Sequence, residues 1–433
     1  MLSNSIAMTT DHKTRSDIRM LVSGSVGNIL EWYDFAVYGY MAKVIAPLFF
    51  PTEDKTAAMI SVFGVFAAGF LMRPLGAILF GYIGDKRGRK QALVLSVILM
   101  AFSTVGLGLL PTHAAIGVAA PFLLTALRLI QGVSVGGELT TSISFIVEKA
   151  PEGRRGYYGA WTTFCAVAGI LLGSAVGAAV ESVFSAEQIT DWAWRVPFLI
   201  GFILGIYALL MRRTISESDS FTKLRSSGRL IKAPLADAFK SHGITMIKII
   251  GVLWIFAVGF YMPFIYLPTY LSNNENIPLS QALDLNSAAM GLVLVFTLLL
   301  GHLSDKKGRK NIILFGSVGF LVSAIPVYML FGMDGDTGIF AGLAIFAIFC
   351  GATQGAIPAF LSENFPTPIR VSALSFSYNV ALAIFGGTTP LLATWLIQTS
   401  GSSLAPAWYL AFAALVSTVS VLSMKETFRK KLD

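Results

Sequence analysis

The chain has 433 residues, of which 55% are hydrophobic and only 13% charged, and a soluble reading would demand an implausibly large core. The net charge of +8 raises nucleic acid as a partner, but the placement of the cations along the chain argues against that reading. Cys165 and Cys350 both fall in apolar stretches without metal-ligand spacing, so they read as inert core thiols and no metal site is expected.

In chain order, Met1 to Arg19 is polar, lacks the apolar region of a secretory signal, and reads as a solvated tail. Apolar stretches long enough to cross a bilayer then recur to the end. Twelve spans are expected: approximately 21–49, 57–83, 91–110, 117–147, 157–184 and 194–211, then approximately 244–271, 282–302, 311–332, 338–361, 371–398 and 406–424. A polar, basic linker over 212–243 separates the sixth from the seventh. The expected fold class is therefore an all-α membrane protein, with a six-helix bundle over 1–211, a cytoplasmic linker, and a second six-helix bundle over 244–433.

The first span carries the sharpest signal. Within Gly27–Tyr40, Glu31 and Asp34 are three residues apart and share a helix face, amid Trp32, Tyr33, Phe35, Tyr38 and Tyr40. A carboxylate in hydrocarbon costs roughly 2.5–3.5 kcal/mol on insertion scales, so such a pair faces a bundle interior or a wet cavity and points to function.

Lysine and arginine set the orientation. With the N-terminal tail inside, alternate loops hold Lys13, Arg15 and Arg19, then Lys86–Lys90, Lys149–Arg155, the linker, Lys306–Lys310, Arg370 and Lys425–Lys431. Only Lys43 and Lys55 fall outside, which satisfies the positive-inside rule with both termini cytoplasmic. The positive charge is topological, and no nucleic acid is needed.

The chain also repeats itself. Gly81-Tyr-Ile-Gly-Asp-Lys-Arg-Gly-Arg-Lys90 recurs as Gly301-His-Leu-Ser-Asp-Lys-Lys-Gly-Arg-Lys310, at an offset of 220 residues (305 − 85). Each copy follows the second span of its half, which marks two halves related by an axis along the membrane normal, with a site at mid-membrane between them. Asp85 and Arg89, with Asp305 and Arg309, are placed to latch the cytoplasmic side shut. Glu148, Glu363 and Arg370 lie at span ends in repeat-like positions and join that gate.

The duplicated G-x-x-x-D-K-x-G-R-K pattern resembles the loop signature of the major facilitator superfamily. EWYDFAVYGY in the first span, Arg73-Pro-Leu-Gly and Arg128-Leu-Ile-Gln-Gly-Val-Ser-Val-Gly-Gly-Glu138 resemble the metabolite:proton symporter family more narrowly. So do Trp192-Ala-Trp-Arg-Val-Pro197, Glu363-Asn-Phe-Pro-Thr-Pro-Ile-Arg370 and Tyr378-Asn. Members carry proline, betaine, citrate, 2-oxoglutarate or shikimate, and Lys425-Glu-Thr with the Gly-Gly-Glu of span four looks most like the proline/betaine branch. The resemblance implies a major facilitator fold and transport without an enzymatic step. The chain ends at Asp433, without the coiled-coil extension of osmosensing members, a departure from that pattern that leaves osmotic regulation open.

Depth places Arg128 against the first span. Glu31 is ~15 Å from the cytoplasmic end of its helix and Arg128 ~16 Å from the outer end of its own, so both reach the middle of a ~30 Å core. Arg128 cannot lose its proton, so its partner is Glu31, Asp34, Glu138 or a substrate carboxylate. The resemblance gives Arg128 a place in proton and substrate coupling. Protonation of Glu31 or Asp34 would free Arg128 to hold a carboxylate; burial and a nearby arginine pull the protonation of such an acid in opposite directions. Glu138, ~15 Å further along its helix, either relays the proton or braces the contacts of Gly137.

Arg73 and Lys43 read as lying nearer span ends, which leaves Arg128 as the deep cation. One cation suits a zwitterion better than a tricarboxylate. Arg128 with Trp32, Tyr33, Tyr38, Trp254, Tyr261 and Tyr378 forms the candidate substrate set, aromatic faces being able to hold an ammonium group. The expected function is proton-coupled symport of a proline- or betaine-like osmolyte, with organic acid uptake and a non-transporting nutrient sensor as alternatives. Partners are a small molecule, protons and the lipid bilayer, in the bacterial inner membrane as a monomer. No cofactor is expected, since a proton gradient supplies the energy. No Walker pattern, nucleophile–base pair or histidine cluster suggests otherwise.

Overall fold

The structure, a computed structural model, describes residues 21, 25, 27–39, 41–53, 55–213, 216–228, 233–275, 277–332 and 335–432. The cations expected in the N-terminal tail lie outside these residues, as do the side chains of Lys43 and Lys55. Every regular element among the described residues is helical, as apolar runs in hydrocarbon require, because a helix satisfies its backbone polar groups within one segment.

The first span is α1 (27–39) followed by α2 (Ala42–Phe49), parted by a turn at Met41. The second is α3 (Lys55–Leu71) and α4 (Arg73–Lys86), and the third α5 (Arg89–Leu109). A short α6 (His113–Ile116) leads into the fourth span, α7 (Ala119–Lys149). The fifth is α8 (Arg155–Val183), and α9 (Ala186–Asp191) leads into the sixth, α10 (Val196–Arg213). The linker holds α11 (Asp219–Ser226). The second half contains α12 (Pro234–Tyr261), α13 (Leu267–Asn274), α14 (Leu279–Lys307), α15 (Arg309–Phe331), α16 (Asp336–Glu363), α17 (Arg370–Ala381), α18 (Thr389–Ser400) and α19 (Ala405–Leu422). Eleven helical segments among the described residues are long and apolar enough to cross a membrane, and α1 with α2 stands where the remaining span is expected.

Two boundaries differ from the sequence reading. Arg212 belongs to α10, not to the linker, because it is buried by an acidic partner described below. The seventh span begins near Pro234 rather than 244; polar residues such as Asp237 and Lys240 mask its first turns, and the helix bends at His242. The seventh and eleventh spans each break deeper in. Pro263 lies within a π-helical turn, Met262–Tyr266, between α12 and α13, and Pro268 follows it in the first turn of α13. A matching turn, Leu382–Gly386, joins α17 to α18 in the eleventh span.

The halves meet where the repeat says they should. The second span packs on the eleventh (α4 on α17) and the fifth on the eighth (α8 on α14), which are equivalent contacts under exchange of the halves. The duplicated glycines, Gly88 and Gly308, have φ of +117° and +97°. Only a residue without Cβ turns so tightly between two helices at no steric cost, which accounts for their matched positions.

Candidate functional site

Glu31 and Asp34 are both buried on α1 but meet different neighbours. Glu31 borders a cavity of about 270 Å³, shared with Phe35, Gly69, Arg73, Arg128, Gln131 and Val135. Close packing builds it. Gly132 of α7 lies so near the Gly69 carbonyl that a Cβ would collide with it, and this draws the second and fourth spans together.

Arg73 is the residue the sequence reading misplaced. It is not near a span end: Lys86 is 13 residues on (86 − 73), or ~20 Å along the helix. Pro74 sits beside it in the first turn of α4, where no N–H is needed, and the span runs on past both. Its guanidinium is buried among aromatic rings, 4.2 Å from Phe70, 5.3 Å from Phe35 and 5.7 Å from Trp32. The centre therefore holds two deep cations.

Arg128 forms an ion pair with none of the three acids expected for it. Its guanidinium lies 4.1 Å over the Tyr38 ring and donates to the side-chain oxygen of Gln131. Gln131 Nε2 in turn donates to Asp34 Oδ2 at 3.1 Å, and Thr104 of α5 donates to that same oxygen. Asp34 Oδ1 and Glu31 Oε2 are buried without a hydrogen-bond partner, as is Arg128 Nε. Among the described residues, neither Arg73 nor Arg128 makes an ion pair with a carboxylate. Buried charges left in this state are rare and point to a working site rather than to a device for stability.

A second cavity, of about 360 Å³, opens between the halves. Trp32, Phe256, Phe260, Tyr261 and Tyr378 line it, with Thr163, Gln354 and apolar groups, and no lining residue is charged. Trp32 lines this cavity, and Arg73, which lines the first, lies 5.7 Å from its ring. The indole N–H of Trp32 and the hydroxyl of Tyr261 are buried without a partner.

Of the six aromatics expected to bind substrate, Trp32, Tyr261 and Tyr378 line this cavity. The other three are placed elsewhere. Tyr33 donates to the Pro197 carbonyl at 2.7 Å and ties the first span to the sixth. Tyr38 donates to the Val62 carbonyl at 3.2 Å and serves Arg128 as a platform. Trp254 stacks on Phe385 at 4.0 Å and packs α12 against its neighbours, outside both cavities. Helical spacing alone cannot say which face of an aromatic-rich helix meets a cavity.

Glu138 does not reach Arg128. It is paired with Arg212, which also donates to Glu138 Oε2 at 2.9 Å and to the Leu93 carbonyl at 2.7 Å, and Ser96 donates to the same carboxylate. A Cβ at Gly27 would strike this pair, so the glycine lets the first span close on it. Arg212 was missed because it falls at a polar boundary in the sequence.

At the basic end, among the described residues, the buried arginines Arg89, Arg309 and Arg370 each meet a carboxylate. Arg89 contacts Asp85 at 3.3 Å and Glu148 at 3.2 Å, and Arg370 of the other half reaches Glu148 at 2.7 Å. The repeat answers with Arg309 on Asp305 at 2.8 Å and on Glu363 at 3.3 Å, and Arg155 at 3.9 Å from Glu363. Asp85 accepts from the backbone N–H groups of Val371 and Ser372 at the start of α17. Asp305 does the same for Gly156 and Tyr157 at the start of α8. Each acid thus caps a helix of the opposite half, where the helix dipole favours negative charge. The segments after the sixth and twelfth spans add a further matched layer. Ser218 bonds Glu148 and Thr427 bonds Glu363, while Glu217 and Glu426 accept from the backbone N–H groups of Lys90 and Lys310. The signal for them was present as Glu217-Ser218 and Glu426-Thr427.

Comparison with known proteins is consistent with this geometry. Residues 35–390 match the model of the Major Facilitator Superfamily. The proline/betaine transporter of Salmonella typhimurium is 35% identical over 436 residues, spanning 99% of this chain and 86% of that protein. The glycine betaine/proline/ectoine/pipecolic acid transporter OusA of Dickeya dadantii is 35% identical over 423 residues, spanning 96% and 84%. Among solved structures, the proton:xylose symporter XylE bound to 6-bromo-6-deoxy-D-glucose shares the fold with a TM-score of 0.80 at 20% identity, covering 97% of this chain and 98% of that one.

Proposed function

The chain belongs to the Major Facilitator Superfamily and is a membrane transporter rather than an enzyme; from that premise we propose that it carries a small zwitterion of the proline or betaine type together with a proton, by alternating access. The names of its relatives support the substrate class. The observation that carries the coupling is a group of four buried charges in one half, Arg73 and Arg128 with Glu31 and Asp34, in which no cation is ion-paired to an acid.

With both acids ionised, the group is neutral. Protonating Glu31 or Asp34 leaves one positive charge in excess, on an arginine that cannot release it. A substrate carboxylate restores the balance, and its ammonium group rests against the rings of Trp32, Tyr261 and Tyr378. The loaded site then reorients without an unpaired charge in hydrocarbon. The basic end faces the cytoplasm with both termini, in accord with the positive-inside rule, across the bacterial inner membrane. The ion-paired cluster there is the cytoplasmic gate. The protein acts as a monomer, and the proton gradient is its energy source.

Arg73 favours a second reading. Two deep cations can hold a dicarboxylate such as 2-oxoglutarate, which one could not. Radiolabelled uptake into proteoliposomes decides between them, with proline, betaine, citrate and 2-oxoglutarate under an inward proton gradient. Accumulation of proline or betaine that an uncoupler abolishes supports the first reading, and accumulation of an organic acid the second. Uptake indifferent to the uncoupler removes proton coupling from both. In Asp34→Asn and Glu31→Gln, accumulation falls to the equilibrium level while exchange of labelled for unlabelled substrate persists.

A further inference from the structure

Gln131 stands where an ion pair would be expected. Arg128 and Asp34 face each other across α7 and α1, yet the carboxamide of Gln131 lies between them. Arg128 donates to its oxygen, and its nitrogen donates to Asp34 Oδ2 at 3.1 Å. The amide has one possible orientation here. An arginine offers only donors, so the oxygen must face it, and the NH₂ is left to face the acid. Thr104 holds the acid from the third span, and its own Oγ1 is 3.3 Å from Gln131 Nε2. Gln131 is itself 3% exposed, so water does not compete for these bonds.

We infer that Gln131 is a positioning residue for coupling: it holds Arg128 one amide away from Asp34, so that the acid stays open to a proton. This rests on the reading of Asp34 as a proton-carrying acid. The groups facing Asp34 are Arg128 and Gln131 from the fourth span, Thr104 from the third, Tyr33 beside it on its own helix, and the backbone at Gly201 from the sixth. Arg128 is the one cation among them, with Tyr38 beneath it. Without the amide, Arg128 loses an acceptor in a place where an unmatched charged donor is costly, and Asp34 is the nearest anion offering an unpartnered oxygen. A direct charge–charge hydrogen bond outweighs the neutral amide donor that Asp34 gives up. A proton must then displace a cation to reach the acid.

The test is the external-pH profile of uptake in proteoliposomes, with substrate counterflow, which needs no net proton movement, as the measure of an intact carrier. In Gln131→Met the midpoint of pH-driven uptake moves to more acidic pH by about one unit, a tenfold rise in the proton concentration required, while counterflow is retained. Gln131→Asn keeps the amide but is one methylene too short to span both partners, and shifts the midpoint the same way. An unshifted or alkaline-shifted midpoint in a variant that retains counterflow overturns the proposal. Loss of counterflow from both variants also overturns it, since a positioning residue for the proton is not needed for exchange. Asp34→Asn separates the two levels of the argument. If it keeps the unaltered pH-driven uptake, the reading of Asp34 fails. If it loses pH dependence while the Gln131 variants stay unshifted, only the role of Gln131 fails.

Discussion

The basic end and the membrane centre are built from the same side chains, and they use them in opposite ways. At the basic end Arg89, Arg309 and Arg370 each meet a carboxylate, and the acids meet backbone N–H groups or hydroxyls besides. In the centre Arg73 lies on aromatic rings and Arg128 on Tyr38 and Gln131, while Glu31 and Asp34 keep an unpartnered oxygen each. In the matched cluster Arg370–Glu148 and Arg155–Glu363 cross between the halves, and those contacts are lost when the halves part. An unmatched one is ready to take a proton or an anion. The first is also duplicated across the halves. The second is confined to the N-terminal half.

Substitutions can break this contrast. The largest effect is expected at Glu148, where Arg89 and Arg370 converge. Glu148→Gln removes one side of a buried charge pair, worth about 3–5 kcal/mol when broken, and the closed basic end loses its advantage. A cysteine placed at buried Ser372 is then alkylated by a membrane-impermeant maleimide applied from the basic end at least tenfold faster, by order of magnitude from the same energy. An unchanged rate means that the cluster is not what keeps that side shut.

Glu138 and Arg212 test the middle ground, since they are deep yet matched. Arg212→Met leaves the Glu138 carboxylate buried without its cation and lowers thermal stability in detergent, by a cost of about 3–5 kcal/mol. The double variant Glu138→Gln/Arg212→Met recovers much of the loss, because no charge is left unpaired. If the single variant melts like the parent, the pair is not structural, and a proton-relay role for Glu138 gains ground.

The smallest effect separates packing aromatics from lining ones. Tyr33→Phe gives up a single hydrogen bond, about 0.5–1.5 kcal/mol of stability, and leaves the KM for substrate unchanged. Trp254→Phe behaves likewise. Trp32→Phe, in the wall of the cavity, raises KM. An equal response at all three positions would mean that the cavity between the halves is not where substrate rests.

The sequence by itself determined the class, the number of spans, the duplicated loop motif and the deep acids of the first span. Each of these is written locally: an apolar run of bilayer length, a motif recurring at a fixed offset, a carboxylate where hydrocarbon forbids one. Asp85 and Asp305 were visible as a matched pair, although the backbone N–H groups of Val371 and Gly156 that they cap lie 286 and 149 residues away in the chain. Only the tertiary structure decided who meets whom. Arg73 became central because its helix face turns onto Trp32, Phe35 and Phe70 and into the cavity, and Glu138 found its cation at the far end of the sixth span. Gln131 came between Arg128 and Asp34 through the rotation of α7 against α1. Side-chain pairing across spans depends on that rotation and on close packing between helices, and neither leaves a signature in the residues of one segment.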